Sequence, residues 1–63
     1  MSIKTARKRA GKTQEDVAKA CGVSINAVSL WEIGKTMPRA ATLFKLADFL
    51  KCTVDELRAE DSA

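Results

Sequence analysis

The apolar residues of this chain recur at helical spacing in five stretches, separated by glycine, proline and hydroxyl residues. Ser2 is placed to cap a first helix from Ile3 to about Ala10, with Ile3, Ala6 and Ala10 on one side and Lys4, Arg7, Lys8 and Arg9 elsewhere; Gly11 ends it. Thr13 with Asp16 three residues on forms a capping box, in which each side chain satisfies an orphan N–H at the start of a second helix. Val17, Ala18 and Cys21 share one face of that helix, and Glu15, Asp16 and Lys19 lie on the other. Gly22 follows the last periodic residue, where a chain leaving a helix needs a left-handed turn. Ser24 then caps a third helix from Ile25, with Val23, Val28 and Trp31 inward and Ile25, Asn26, Ser29 and Leu30 outward. Beyond a loop punctuated by Gly34 and Pro38, a fourth helix from about Ala40 to Leu50 gathers Leu43, Leu46, Ala47 and Leu50 on one face, with Phe44 and Phe49 beside them. Thr53 and Glu56 form a second capping box, opening a short last helix that bears Val54 and Leu57; residues 59–63 read as a frayed polar end.

About three residues separate the second and third predicted helices, so the third must cross the second steeply, and this arrangement is a helix-turn-helix. Here the chain resembles the phage repressor and Cro type of helix-turn-helix proteins. The resemblance is carried by Thr13-Gln14-Glu15-Asp16-Val17-Ala18, Gly22-Val23-Ser24, Ala27-Val28-Ser29-Leu30-Trp31-Glu32 and Gly34-Lys35 followed by Pro38. Thr42-Leu43-Phe44-Lys45-Leu46-Ala47 and Val54-Asp55-Glu56-Leu57 look like the fourth and fifth helices of that family, so the match runs over roughly residues 3–58. It implies a compact, all-α, five-helix domain of the lambda-repressor-like kind, one domain over 1–63 with a core at about 3–58.

Composition agrees with one small domain. The chain has 63 residues, 46% hydrophobic and 30% charged, enough for a single marginal core. Its net charge of +3 is unevenly spread: residues 1–39 carry eight Lys or Arg against three Asp or Glu, whereas residues 40–63 carry three against five. A basic front half that holds the helix-turn-helix is the footprint expected of a phosphate-binding surface, although a solvated basic face gives the same count. Cys21 and Cys52 fall in apolar helical patterns and read as reduced core residues, since there is no His and no CxxC for a metal site. With no His and no Tyr, neither thiol has a partner base, and the carboxylates lie at helix starts or on outward faces, so an enzyme is not expected. No targeting segment and no membrane-length apolar run is present, which favours the cytoplasm.

Candidate nucleic-acid contacts follow from chemistry and from the resemblance. Major-groove base edges are read by bidentate amides, and thymine methyls by apolar groups. Asn26 suits adenine, Ser29 either kind of base, and Ile25 a thymine methyl; Leu30 is open between methyl readout and core packing. Trp31 shares a face with Val23 and Val28 and reads as core. Gln14 sits beside free backbone N–H groups at a helix N-terminus, where the dipole favours an anion, and the family uses a glutamine at that place to hold a phosphate. Ser24 would face a phosphate, and in the family the loop after the third helix follows the backbone, which points to Lys35 and Arg39. The resemblance also implies that Arg7 pairs with Glu32 while presenting charge near a phosphate, and that the last helix and its preceding loop form a two-fold contact. Cys52, Val54, Leu57 and Arg58 are the dimer candidates, unless Val54 and Leu57 only close the core.

The expectation is therefore a sequence-specific, double-stranded DNA-binding transcriptional regulator without metal or other cofactor, acting as a homodimer at least on DNA. That it is a repressor on a pseudo-palindromic operator is what the resemblance implies. The competing expectation is an antitoxin or DNA-silent interaction module of the same fold, whose protein partner would use Phe44, Phe49 and the acidic half.

Overall fold

A computed structural model describes residues 2–58. The described residues form five helices and no strand: α1 Ile3–Arg9, α2 Gln14–Cys21, α3 Ile25–Glu32, α4 Ala40–Phe49 and α5 Val54–Arg58. The expected frayed end at 59–63 lies outside the described residues. Each start has the chemistry its sequence suggested. The Ser2 hydroxyl accepts from the Thr5 N–H at 3.1 Å. Thr13 Oγ1 accepts from the Asp16 N–H at 3.0 Å while Asp16 accepts from the Thr13 N–H at 2.9 Å. Ser24 Oγ accepts from the Ala27 N–H at 3.2 Å, and Thr53 and Glu56 repeat the reciprocal box at 3.0 and 2.9 Å. Only α4 starts without a side-chain cap, at Arg39, among the helices with a described cap.

The ends of α1 to α4 share one device. An amide beyond the last turn reaches back to a carbonyl five residues earlier: Lys12 to Arg7 at 3.0 Å, Val23 to Ala18 at 3.0 Å, Lys35 to Leu30 at 3.0 Å and Cys52 to Ala47 at 2.9 Å. The residue before each of those amides must take a left-handed conformation. At the first three helices it is a glycine, whereas at α4 it is Lys51, with φ 57°. The predicted α4 ran to Leu50; it stops at Phe49, with Leu50 as the cap residue.

The apolar faces meet in one core. Val17, Val28 and Leu46 have no exposed surface, and Ile3, Ala6, Ala18, Cys21, Trp31, Leu43, Ala47, Leu50 and Leu57 are buried around them. Helix α2 lies centrally, packed on α3 and α4, with α1 against α3 and α5 against α4. Full burial of each of Val17, Val28 and Leu46 contributes roughly 1.5–3 kcal/mol, so these three side chains supply much of what a domain this small has. Cys21 is buried and Cys52 half-buried, both free thiols. Burial pushes both up from the ordinary thiol range, and the neighbouring Glu56 charge adds to the rise at Cys52.

Candidate nucleic-acid interface

The turn between α2 and α3 fixes the angle of α3. Gly22 takes φ 69°, and a Cβ there would meet nothing within 4 Å. The residue is glycine for its backbone conformation, not for want of space. Val23 packs against the core from the turn, so α3 leaves with Val28 and Trp31 buried and its opposite face outward.

That outward face carries Ile25 (47% exposed), Asn26 (exposed) and Ser29 and Leu30 (both half-buried). Leu30 thus lies at the margin of the face, and its carbonyl accepts from the Lys35 and Thr36 amides at 3.0 and 3.4 Å, holding the following loop. Ile33, to which the sequence reading gave no role, is 67% exposed and falls on the same face at helical spacing. The Ser24 hydroxyl is committed to its cap. Lys35 and Arg39 are exposed at either end of the loop, and neither pairs with a carboxylate among the described residues.

Behind the face lies a polar network joining α1, α2 and α3. Arg7 Nε donates to Glu32 Oε2 at 2.7 Å, and Arg7 Nη1 donates to the Lys12 carbonyl at 2.9 Å. The two side chains are only 13% and 5% exposed. Gln14 Nε2 donates to Glu32 Oε1 at 3.0 Å, and Gln14 Oε1 accepts from Ser29 Oγ at 3.4 Å. Burial works against the Glu32 charge, but the hydrogen bonds from Arg7 and Gln14, with the charges of Arg7 and Lys4, outweigh it and hold the carboxyl below its ordinary range. The expected Arg7–Glu32 pair is present, and its guanidinium is turned mainly into the protein. Gln14, the expected phosphate holder, is also a strut between α2 and α3. Nothing in the sequence announced the Gln14–Ser29 link. One N–H of its amide is used on Glu32, which leaves the second N–H and the first backbone N–H groups of α2 available to a further acceptor.

The rear of the molecule sorts the other candidates. Leu57 is 6% exposed in the monomer core, Val54 and Cys52 are half-buried against it, and the Arg58 side chain lies outside the description. Phe49 is half-buried, with Lys12 Nζ 5.3 Å from its ring centroid, whereas Phe44 is 63% exposed. Lys12, in the loop after α1, thus sits over an aromatic ring contributed by α4. Among the described residues no group of three Cys, Asp or Glu is placed to hold a metal ion, and no helix is long and apolar enough to cross a membrane.

A helix-turn-helix family model matches residues 3–57 of the chain. An uncharacterized HTH-type transcriptional regulator, YazB, of Bacillus subtilis is 42% identical over 55 residues, covering 87% of this chain and 80% of its own. The cryptic phage CTXphi transcriptional repressor RstR of Vibrio cholerae is 37% identical over 51 residues, 81% of this chain and 46% of that protein. The HTH-type transcriptional activator BcrR of Enterococcus faecalis is 43% identical over 51 residues, which are 78% of this chain and only 25% of BcrR. No solved structure matches the chain.

Proposed function

The chain belongs to the helix-turn-helix family of the phage repressor and Cro type, DNA-binding transcription regulators rather than enzymes, and from that premise we propose that it is a repressor that binds a pseudo-palindromic operator as a homodimer in the cytoplasm. The observation that carries the reading is the outward face of α3, made of uncharged residues suited to base edges and followed by a loop with exposed cations. Inserted in a major groove, Asn26 is the side chain able to make a bidentate pair with adenine N6 and N7. Ser29 gives its hydroxyl proton to Gln14, so its lone pairs face the groove and suit a base amino group. Ile25 and Ile33 offer thymine methyls an apolar surface, with Leu30 at the edge.

Phosphates are held on either side. The second amide N–H of Gln14 and the N-terminus of α2 grip one strand, with Ser24 near it, and Lys35 and Arg39 grip beyond α3. Arg7 contributes by fixing Glu32, and through it the Gln14 amide, more than by touching a phosphate itself. A domain of this size reads few base pairs, and a second copy one helical turn away, roughly 34 Å, supplies the missing affinity. Repression then follows from occupancy of a promoter. RstR, a repressor, supports that sign; BcrR is an activator that extends far beyond the shared segment.

Selection from a random duplex library tests the proposal. The expected outcome is an inverted repeat with half-sites about 10–10.5 base pairs apart, at which Asn26→Ala relaxes the preference for one base pair and loses roughly 1–3 kcal/mol of discrimination. Enrichment of no sequence, or of sites whose preference ignores Asn26, would contradict it.

A further inference from the structure

We infer that the outward face of α4, centred on Phe44, is where a second copy of this chain docks. The inference rests on the reading that the regulator acts in pairs, and it moves the contact away from α5. Among the described residues of the last helix and the loop before it, Leu57 is 6% exposed, and Val54 and Cys52 are half-buried against the core. Ile25 and Ile33 belong to the face of α3 that the groove would take. The remaining large exposed apolar side chains among the described residues are Phe44 at 63% and Met37 at 66%, the latter in the segment leading into α4. Helix α4 buries Leu43, Leu46, Ala47 and Leu50 on one side, which leaves Ala41, Phe44, Lys45 and Asp48 on the other.

Charge selects a second copy as the occupant. Lys45 and Asp48 lie one turn apart on this face, and neither has an ion-pair partner among the described residues. A cation and an anion of this kind beside an apolar residue make a patch that complements itself. When a two-fold axis sets two such helices antiparallel, each Lys45 meets the Asp48 of the other copy and the Phe44 rings are covered. An isologous contact of this kind closes at two subunits. The face is also continuous in the chain with the loop that carries Lys35 and Arg39, so a copy docked there stays beside the same duplex.

The size of the patch sets its strength. Ten residues of helix span about 15 Å, and a strip that long covers on the order of 200–300 Å² per copy, well under the roughly 800 Å² per partner of a standard interface. Association is therefore weak in free solution and becomes effective when two copies sit on neighbouring half-sites, where the local concentration is of millimolar order.

Sedimentation of the full chain over rising concentration reads the contact directly, and anisotropy on a duplex of about 12 base pairs, room for one copy, reads DNA binding separately. The expected result is a weak monomer–dimer equilibrium that Phe44→Glu shifts at least tenfold toward monomer, with binding to the short duplex unchanged and the helical circular dichroism intact. Lys45→Asp and Asp48→Lys should each weaken the dimer, and together restore it. A dimer that Phe44→Glu leaves undisturbed, or charge variants whose combination restores nothing, overturns the inference, as does a chain that stays monomeric at every concentration and binds two half-sites without cooperativity. Dimers that depend on Phe44 in a protein that fails to bind any duplex would uphold this surface and remove the DNA reading.

Discussion

Glu32 accepts hydrogen bonds from Arg7 of α1 and Gln14 of α2, so one carboxylate ties the N-terminal helix and the start of the helix-turn-helix to α3. Its consequence is a pH dependence with a definite sign. The folded carboxyl titrates below its ordinary value of 4.5, so the stability it contributes is complete above that pH and is lost as pH falls through the lower folded value. Glu32→Gln keeps the shape but removes the charge opposite a nearly buried arginine, which should cost about 2–3 kcal/mol at pH 7. Urea unfolding of both proteins should give that difference at pH 7 and a much smaller one near pH 3. A difference that persists unchanged at pH 3 would assign the effect to packing instead. The pair itself was legible through the family resemblance. The Gln14 link to Ser29 was not, because the sequence states which residues share a helix face but not how two crossed helices bring their side chains within reach.

Among the helices, the starts were read almost completely, since capping is local chemistry: Ser2, Thr13, Ser24 and Thr53 each cap where the spacing placed them. The buried faces were equally legible, because a period of 3.6 residues separates Val17, Ala18 and Cys21 from Glu15 and Lys19 without further information. The end of α4 was harder, since the residue that turns the chain is Lys51, where glycine marks the other three ends. A non-glycine residue at φ 57° costs roughly 1 kcal/mol. Lys51→Gly should therefore stabilise the domain by about 0.5–1 kcal/mol, raising Tm by several degrees for a domain of this length. An unchanged or lower melting temperature would mean that the Lys51 side chain supplies a compensating interaction. Lys12 over Phe49 illustrates a different blind spot, for these residues lie far apart in the chain and only the fold brings the loop after α1 beside α4.

Across the whole molecule, the charge asymmetry of the sequence follows the layout of the helices. The basic front half contains the helix-turn-helix and its following loop, while the acidic half supplies α4 and α5, which pack behind α2 and expose Phe44. Sequence reading found the front face but gave no role to Ile33, because an isoleucine after the last turn of a short helix reads equally as core or surface until its exposure is known. On the proposed reading, α3 and the loop after it hold duplex DNA. Its most direct test is fluorescence anisotropy of a labelled random-sequence duplex at two salt concentrations, with the full chain and with the Asn26→Ala, Lys35→Ala double variant. Counterion release predicts binding at low salt that falls steeply as salt rises, a smaller salt slope for the variant, and a large loss of affinity in it. Absence of binding at low salt by the folded protein, or equal binding by the variant, would overturn that reading.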